Sequence, residues 1–194
     1  MNPERLICGL ATVFDAPSAN GGGYWQAHHF ADFVKSCMAV KMLDSHRPPI
    51  GDDEVLGSWR AFAVVEAGST PAGLLTIGEF GHSAYGQARL NELSASNAPW
   101  GDPKPWEAWG LSVTAGDVSE AGDGTRRWLT EVSLTTKPAY ADARVLGVGP
   151  YAGDVWRLLT GTEPPRVVVP TTHTVRRLLG ATDRGKPIYD DGGV

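Results

Sequence analysis

Cysteine is almost missing from this chain. Cys8 and Cys37 are the only two among 194 residues. With no signal peptide ahead of them, they are expected as two reduced thiols rather than a disulfide. Long apolar runs are missing as well. No stretch approaches the roughly 18 residues a membrane-spanning helix needs, and the opening "MNPERLICGL" has no apolar core of signal length. A soluble protein of a reducing compartment, without a membrane partner, is the expectation. Positive charge is not in excess either. A formal net charge of −5 argues against nucleic acid as a partner, because neutralising phosphates takes clustered Lys and Arg. A phosphate-cradling Gly motif before a helix is also absent.

Turn formers are plentiful. The 24 Gly and 14 Pro point to many turns and short strands, and the length suits one domain with a substantial core and a tail. "RLICGLATVF" (Arg5 to Phe14) reads as a strand. "HFADFVKSCMAV" (His29 to Val40) places Phe30, Phe33, Val34 and Cys37 on one helical stripe. "VKMLDSH" (Val40 to His46) reads as a short strand broken by "RPPIGD". "EVLGSWRAFAVVEA" and "AGLLTIGEF" read as two strands about a "GSTP" turn. "SAYGQARLNELSAS" reads as a helix capped by Ser83, and a Pro/Trp-rich loop occupies 97–106. "EAWGLSVTAGDV" and "RRWLTEVSLTTKP" then alternate on either side of an Asp-Gly turn, a strong hairpin signal. Beyond Ala143 the pattern weakens. A short helix in "GDVWRLLTG" and a polar, basic end are expected to form a tail from 149 to 194, behind a domain of residues 1–148. Six or seven strands with two interleaved helices favour a largely antiparallel barrel or sandwich over a doubly wound sheet.

The hairpin sets up a question of chemistry. On "GLSV" the hydroxyl of Ser112 shares a face with Gly110 and Thr114, while Trp109, Leu111, Val113 and Ala115 share the other. If residues 121–124 close the turn, Ser112 faces Ser133 and Thr114 faces Glu131. Ser112 and Glu131 are then diagonal neighbours roughly 7–8 Å apart between backbones, a gap suited to a bridging imidazole. A slip of one residue would send them to opposite faces. A serine nucleophile needs such an imidazole as its base. Of five histidines, His28, His29 and His82 stand at helix starts and His173 in the tail. His46 alone sits at the end of a core-anchored element, before a rigid Pro-Pro. Taken singly, Ser112 is also a polar-face serine, Glu131 a solvated glutamate and His46 a structural histidine. His28, His29 and Asp32 make a poor metal set, since adjacent imidazoles on a helix point apart. No metal or other cofactor is expected. Most of the seven Trp alternate along strands and are expected in the core.

"LDSHRPPIG", "GLLTIGEF", "WGLSV" and above all "TEVSLTTKPAYADARV", with the helix "FADFVKS" in place, resemble the tailed-phage prohead (capsid maturation) serine proteases, a family related to the herpesvirus assemblins. The resemblance covers about residues 5–146. It implies a mainly β, α+β fold: a small antiparallel β-barrel of six or seven strands flanked by helices. It implies Ser112 as nucleophile and His46 as base. At the third position assemblins carry a second His and the phage branch an acidic residue, here Glu131. By analogy the oxyanion would be met by backbone at Pro138 and Ala139. The function implied is a serine endopeptidase of head maturation in the host bacterial cytoplasm. It would work inside the procapsid, cutting the scaffold or the scaffolding domain of the major capsid protein and its own tail, and it could be a homodimer. A non-catalytic barrel homologue, acting as scaffold or minor capsid component, is the alternative. A binding domain with a Trp-lined groove is the third reading. The chain departs from the family in its long Ser94–Ala108 link and in "VTAG" after the serine, both flanking the nucleophile.

Overall fold

Eight consecutive buried residues, Leu6–Val13, form the first strand, β1. A strand buried on both sides belongs in the middle of layers, and β1 has sheet neighbours on both edges. The structure, a computed structural model, describes residues 1–19, 24–47, 55–94, 105–118, 125–164, 177–181 and 187–190. Expectations for the Asp-Gly turn at 121–124, for Pro48 and Pro49, for most of the Pro/Trp loop and for His173 lie outside those residues.

β1 is joined by β2 (Val40–Asp44), β3 (Gly57–Val65), β4 (Gly73–Phe80), β5 (Gly110–Asp117), β6 (Arg127–Thr135) and β7 (Val145–Val148). They make one seven-stranded sheet in the order β5-β6-β2-β3-β4-β1-β7. Neighbours run antiparallel except β2 and β6, which are parallel. The sheet curls until its edges touch. Gly110 bridges Arg144, the Leu111 N–H donates to the Ala143 carbonyl at 2.8 Å, and the Val145 N–H donates to the Trp109 carbonyl at 3.0 Å. Two glycines permit this seam. A Cβ on Gly110 would come within 2.5 Å of the Pro138 ring, and one on Gly9 within 2.5 Å of the Arg144 carbonyl oxygen.

One core fills the curl, with Ile7, Phe33, Met42, Trp59, Leu74, Leu111, Val132 and Leu134 among its members. Each such aliphatic or aromatic side chain contributes about 1.5–3 kcal/mol by leaving water. The Trp59 indole N–H is satisfied by the Val132 carbonyl at 2.9 Å, so its burial leaves no orphan donor. A second core lies on the other face of the sheet, where Leu6, Cys8, Leu10, Leu75 and Ile77 meet Ala152 and Trp156.

Among the described residues three helices flank the sheet: α1 (Ala31–Lys35), α2 (Ala84–Ser94) and α3 (Pro150–Thr160). The first is shorter than its apolar stripe predicts. A 3₁₀ turn at Ala27–Phe30 leads into it, and the chain leaves the helical region at Cys37, whose φ is +52°. Cys37 is therefore exposed rather than on the buried stripe, while Cys8 is buried, and both are free thiols. Burial pushes the Cys8 thiol up, so it stays protonated and inert. Ser83 caps α2 as expected, its Oγ accepting from the Gly86 N–H at 3.1 Å. The division at 148/149 places α3 in a tail, yet its buried Ala152 and Trp156 pack it onto the barrel. Farther on, β8 (Arg177–Ala181) and β9 (Pro187–Asp190) pair antiparallel in a separate two-stranded sheet where no strand was predicted. No helix among the described residues is long and apolar enough to cross a membrane.

Candidate active site

β2 ends at Asp44, and the chain then turns sharply. Ser45 and His46 take φ values of +53° and +59°. Left-handed backbone costs a non-glycine residue about 1–2 kcal/mol, so neighbours must hold it. The Ser45 N–H donates to the Leu134 carbonyl at 2.9 Å and the Arg47 N–H to the Asp44 carbonyl at 2.9 Å. The His46 N–H donates to Ser133 Oγ at 3.0 Å. The rigidity of His46 thus comes from β6; Pro48 and Pro49, expected to supply it, lie outside the described residues.

The same strand carries the acid. β6 lies between β2 and β5, with Lys41 opposite Glu131 and Leu43 opposite Ser133 on one side. On the other, Ser112 is opposite Ser133 and Thr114 opposite Glu131, which is the register expected from the alternation. Glu131 and Ser133 are two residues apart and share a face. Ser133 Oγ–H donates to Glu131 Oε1 at 3.0 Å. The same carboxylate oxygen is bonded to His46 Nδ1. A carboxylate can only accept, so Nδ1 carries a proton, and in the neutral ring Nε2 is the nitrogen with the lone pair.

Ser112 and His46 line one cavity of about 290 Å³, together with Trp25, Ser18, Ala139 and Tyr140. Ser112 is only 6% exposed, whereas the His46 side chain is 40% exposed and that of Glu131 19%. The nucleophile candidate is thus seated deep, the imidazole reaches solvent, and the acid stands behind it. Burial raises the pKa of Tyr140, more than a hydrogen bond with Ser18 lowers it. Its phenol stays protonated and can donate at the cavity wall. Pro138 and Ala139 play unequal parts. Proline has no N–H, and the Pro138 ring packs on Gly110. Ala139 lines the cavity and has an N–H to offer; its carbonyl is engaged by the Ala19 N–H at 2.7 Å.

The other sequence candidates lie apart. His28, His29 and His82 do not line this cavity. The His28 and His29 rings meet edge-on at 4.3 Å, and Asp32 pairs with Arg126 at 2.8 Å. No group of three or more His, Cys, Asp or Glu among the described residues is placed to hold a metal. A larger cavity of about 350 Å³ lies between the N-terminus and α3. Its charged residues include Asp154 and Arg157, paired to each other at 3.0 Å, and it offers no nucleophile beside a base. The residue overlooked in the sequence is Ser133, which binds both the His46 backbone and the Glu131 carboxylate. Its place opposite Ser112 and two residues from Glu131 was the available signal.

No family model matches this chain, and no curated protein does. Among solved structures it is similar to the protease of Kaposi's sarcoma herpesvirus. In complex with a hexapeptide phosphonate inhibitor, that protein aligns at 17% identity and a TM-score of 0.49, over 72% of this chain and 62% of that one. The chain thus spans less than two thirds of that structure. In complex with an allosteric inhibitor, it aligns at 12% identity and a TM-score of 0.52, over 80% of this chain and 82% of that one. Likeness at such identity is likeness of fold. The curled seven-stranded sheet with three helices is assemblin-like, α+β.

Proposed function

We propose that this protein is a serine endopeptidase with a Ser112–His46–Glu131 triad. One observation carries the reading: His46 is bound through Nδ1 to Glu131, and His46 and Ser112 line the same cavity. Ser112 Oγ attacks the scissile carbonyl while His46 Nε2 takes its proton. The tetrahedral intermediate collapses to an acyl-enzyme as the imidazolium returns that proton to the leaving amine. Water then repeats the sequence and frees Ser112. Glu131 holds the tautomer and stabilises the imidazolium. The Ala139 N–H is the oxyanion donor we favour at the 138–139 turn, since Pro138 has none to give.

The motif resemblance and the fold shared with a viral protease support the reading of the substrate class. We place the enzyme in phage head maturation, inside the procapsid in the host cytoplasm. There it cuts the scaffold or the scaffolding domain of the major capsid protein, and its own tail, and it acts as a homodimer.

The test is chemical and does not need the natural substrate. A fluorophosphonate probe should label the purified chain at Ser112, and Ser112→Ala should remain unlabelled. Co-expressed with its capsid protein, the variant should lose processing on the order of a million-fold in turnover. Unlabelled wild-type chain, or processing that survives Ser112→Ala, would overturn the mechanism and leave a non-catalytic barrel homologue.

A further inference from the structure

We infer that Arg89 on α2 is a positioning residue for the reaction proposed above: one guanidinium fixes both the turn that carries His46 and the start of the strand that carries Ser112. The inference rests on that reading of Ser112 and His46, but its geometry is separate from theirs.

Asp44 is the last residue of β2, and the strained Ser45–His46 turn hangs directly from it. Its carboxylate is fully engaged. Arg89 donates to Oδ2 at 2.6 Å, Tyr85 OH donates to the same oxygen at 2.5 Å, and Ser45 Oγ–H donates to Oδ1 at 2.9 Å. The last bond reaches into the turn itself. The same guanidinium donates to Glu92 at 2.5 Å and lies over the Trp109 ring, 4.4 Å from its centre. Trp109 immediately precedes β5, and its carbonyl forms part of the seam with Val145. β5 and β2 are not neighbours in the sheet, since β6 separates them. Arg89 therefore links the end of β2 to the start of β5, which the sheet itself does not bring side by side.

The side chains are shielded: Arg89 is 17% exposed and Asp44 10%. A guanidinium suits this double task because its edge meets a carboxylate while its face stacks on an aromatic ring; an ammonium cannot do both. Desolvation favours the neutral acid at Asp44, but the bonds from Tyr85, Arg89 and Ser45 outweigh it and hold the carboxyl below its ordinary range. The bond to Asp44 raises the Tyr85 phenol correspondingly. The cluster is thus locked in one charge state at neutral pH, as a positioning device requires.

A merely structural ion pair would hold α2 to the barrel without touching the chemistry, and the two cases separate experimentally. Arg89→Lys keeps the charge and loses the stack; Tyr85→Phe removes one bond from Asp44. Each is read by thermal melting, by the His46 imidazole resonances in NMR across a pH titration, and by kcat and KM on a cleaved peptide. In folded variants the His46 resonances should move. The value of kcat should fall about ten- to a hundredfold with KM little changed, the size of effect a small misplacement of a reacting group produces. His46 resonances that coincide with wild type in both folded variants would overturn the proposal, as would an unchanged kcat. Should Arg89→Lys not fold, Tyr85→Phe carries the same expectation alone. Should wild type take no fluorophosphonate, the protease reading fails by itself, and the His46 resonances still decide the role of Arg89.

Discussion

Two carboxylates serve the His46 turn, Asp44 two residues before that histidine and Glu131 bonded to its ring, and they are treated in opposite ways. Asp44 is shielded and accepts from Tyr85, Arg89 and Ser45. Glu131 accepts from a buried serine and from an imidazole that is itself 40% exposed. Every partner of Asp44 is a group that keeps its proton at neutral pH. The one titratable partner of Glu131 is a histidine, whose proton can move. The difference marks one cluster as a brace and the other as a candidate for proton transfer. Burial and ion pairing by themselves would have selected the wrong one, since the Asp44–Arg89 pair is the better shielded.

Glu131→Gln should sharpen the contrast most. The amide keeps the shape but can offer the wrong partner to Nδ1, and comparable changes cost about 10⁴-fold in kcat. Peptide hydrolysis should collapse while the melting temperature barely moves. Ser133→Ala comes next. It leaves the His46 N–H without its acceptor and removes one bond from Glu131. The loss of such bonds is worth about 1–3 kcal/mol, or roughly ten- to a hundredfold in kcat if it is expressed in the transition state. Stability measured by urea titration should fall as well, because the His46 turn loses a support. Should Ser133→Ala change stability and leave kcat untouched, the serine belongs with the brace.

The smallest effect is acid sensitivity. The folded carboxyl of Asp44 titrates below its ordinary value. Its contribution to stability is therefore complete above the unfolded pKa of about 3.9 and is lost as pH falls through the lower folded value. Melting curves between pH 6 and pH 2 should show this loss, and Asp44→Asn should flatten the acid limb. An unchanged acid limb in the variant would mean that other carboxylates dominate it.

Much of the site was readable because alternation and turn chemistry act locally. The pairing of Ser112 with Ser133 and of Thr114 with Glu131 follows from two amphipathic runs joined by a short turn, where a slip would expose the core face. Nothing local predicts that β2 lies parallel to β6, since such a neighbour is chosen by the whole sheet. The left-handed turn at Ser45–His46 was equally hidden, because no glycine marks it. Nothing in the helical run around Arg89 marks it out locally. Only the fold brings it over Trp109 and onto Asp44. The strand at Val145–Val148 and the packing of α3 were missed for a related reason: β7 is four residues long, too short for its period to stand out.

The pairing of β2 with β6 has a consequence for timing. Ser112 and Glu131 sit on one hairpin, whose strands meet early because little chain separates them. His46 joins Glu131 across a separation of 85 residues. Contacts that close long loops carry a larger entropic cost and form late. The contact between the strands of Ser112 and Glu131 is thus local, and the contact that adds His46 is not. If Ser112, His46 and Glu131 act together as proposed, the set is complete only once β2 has paired with β6.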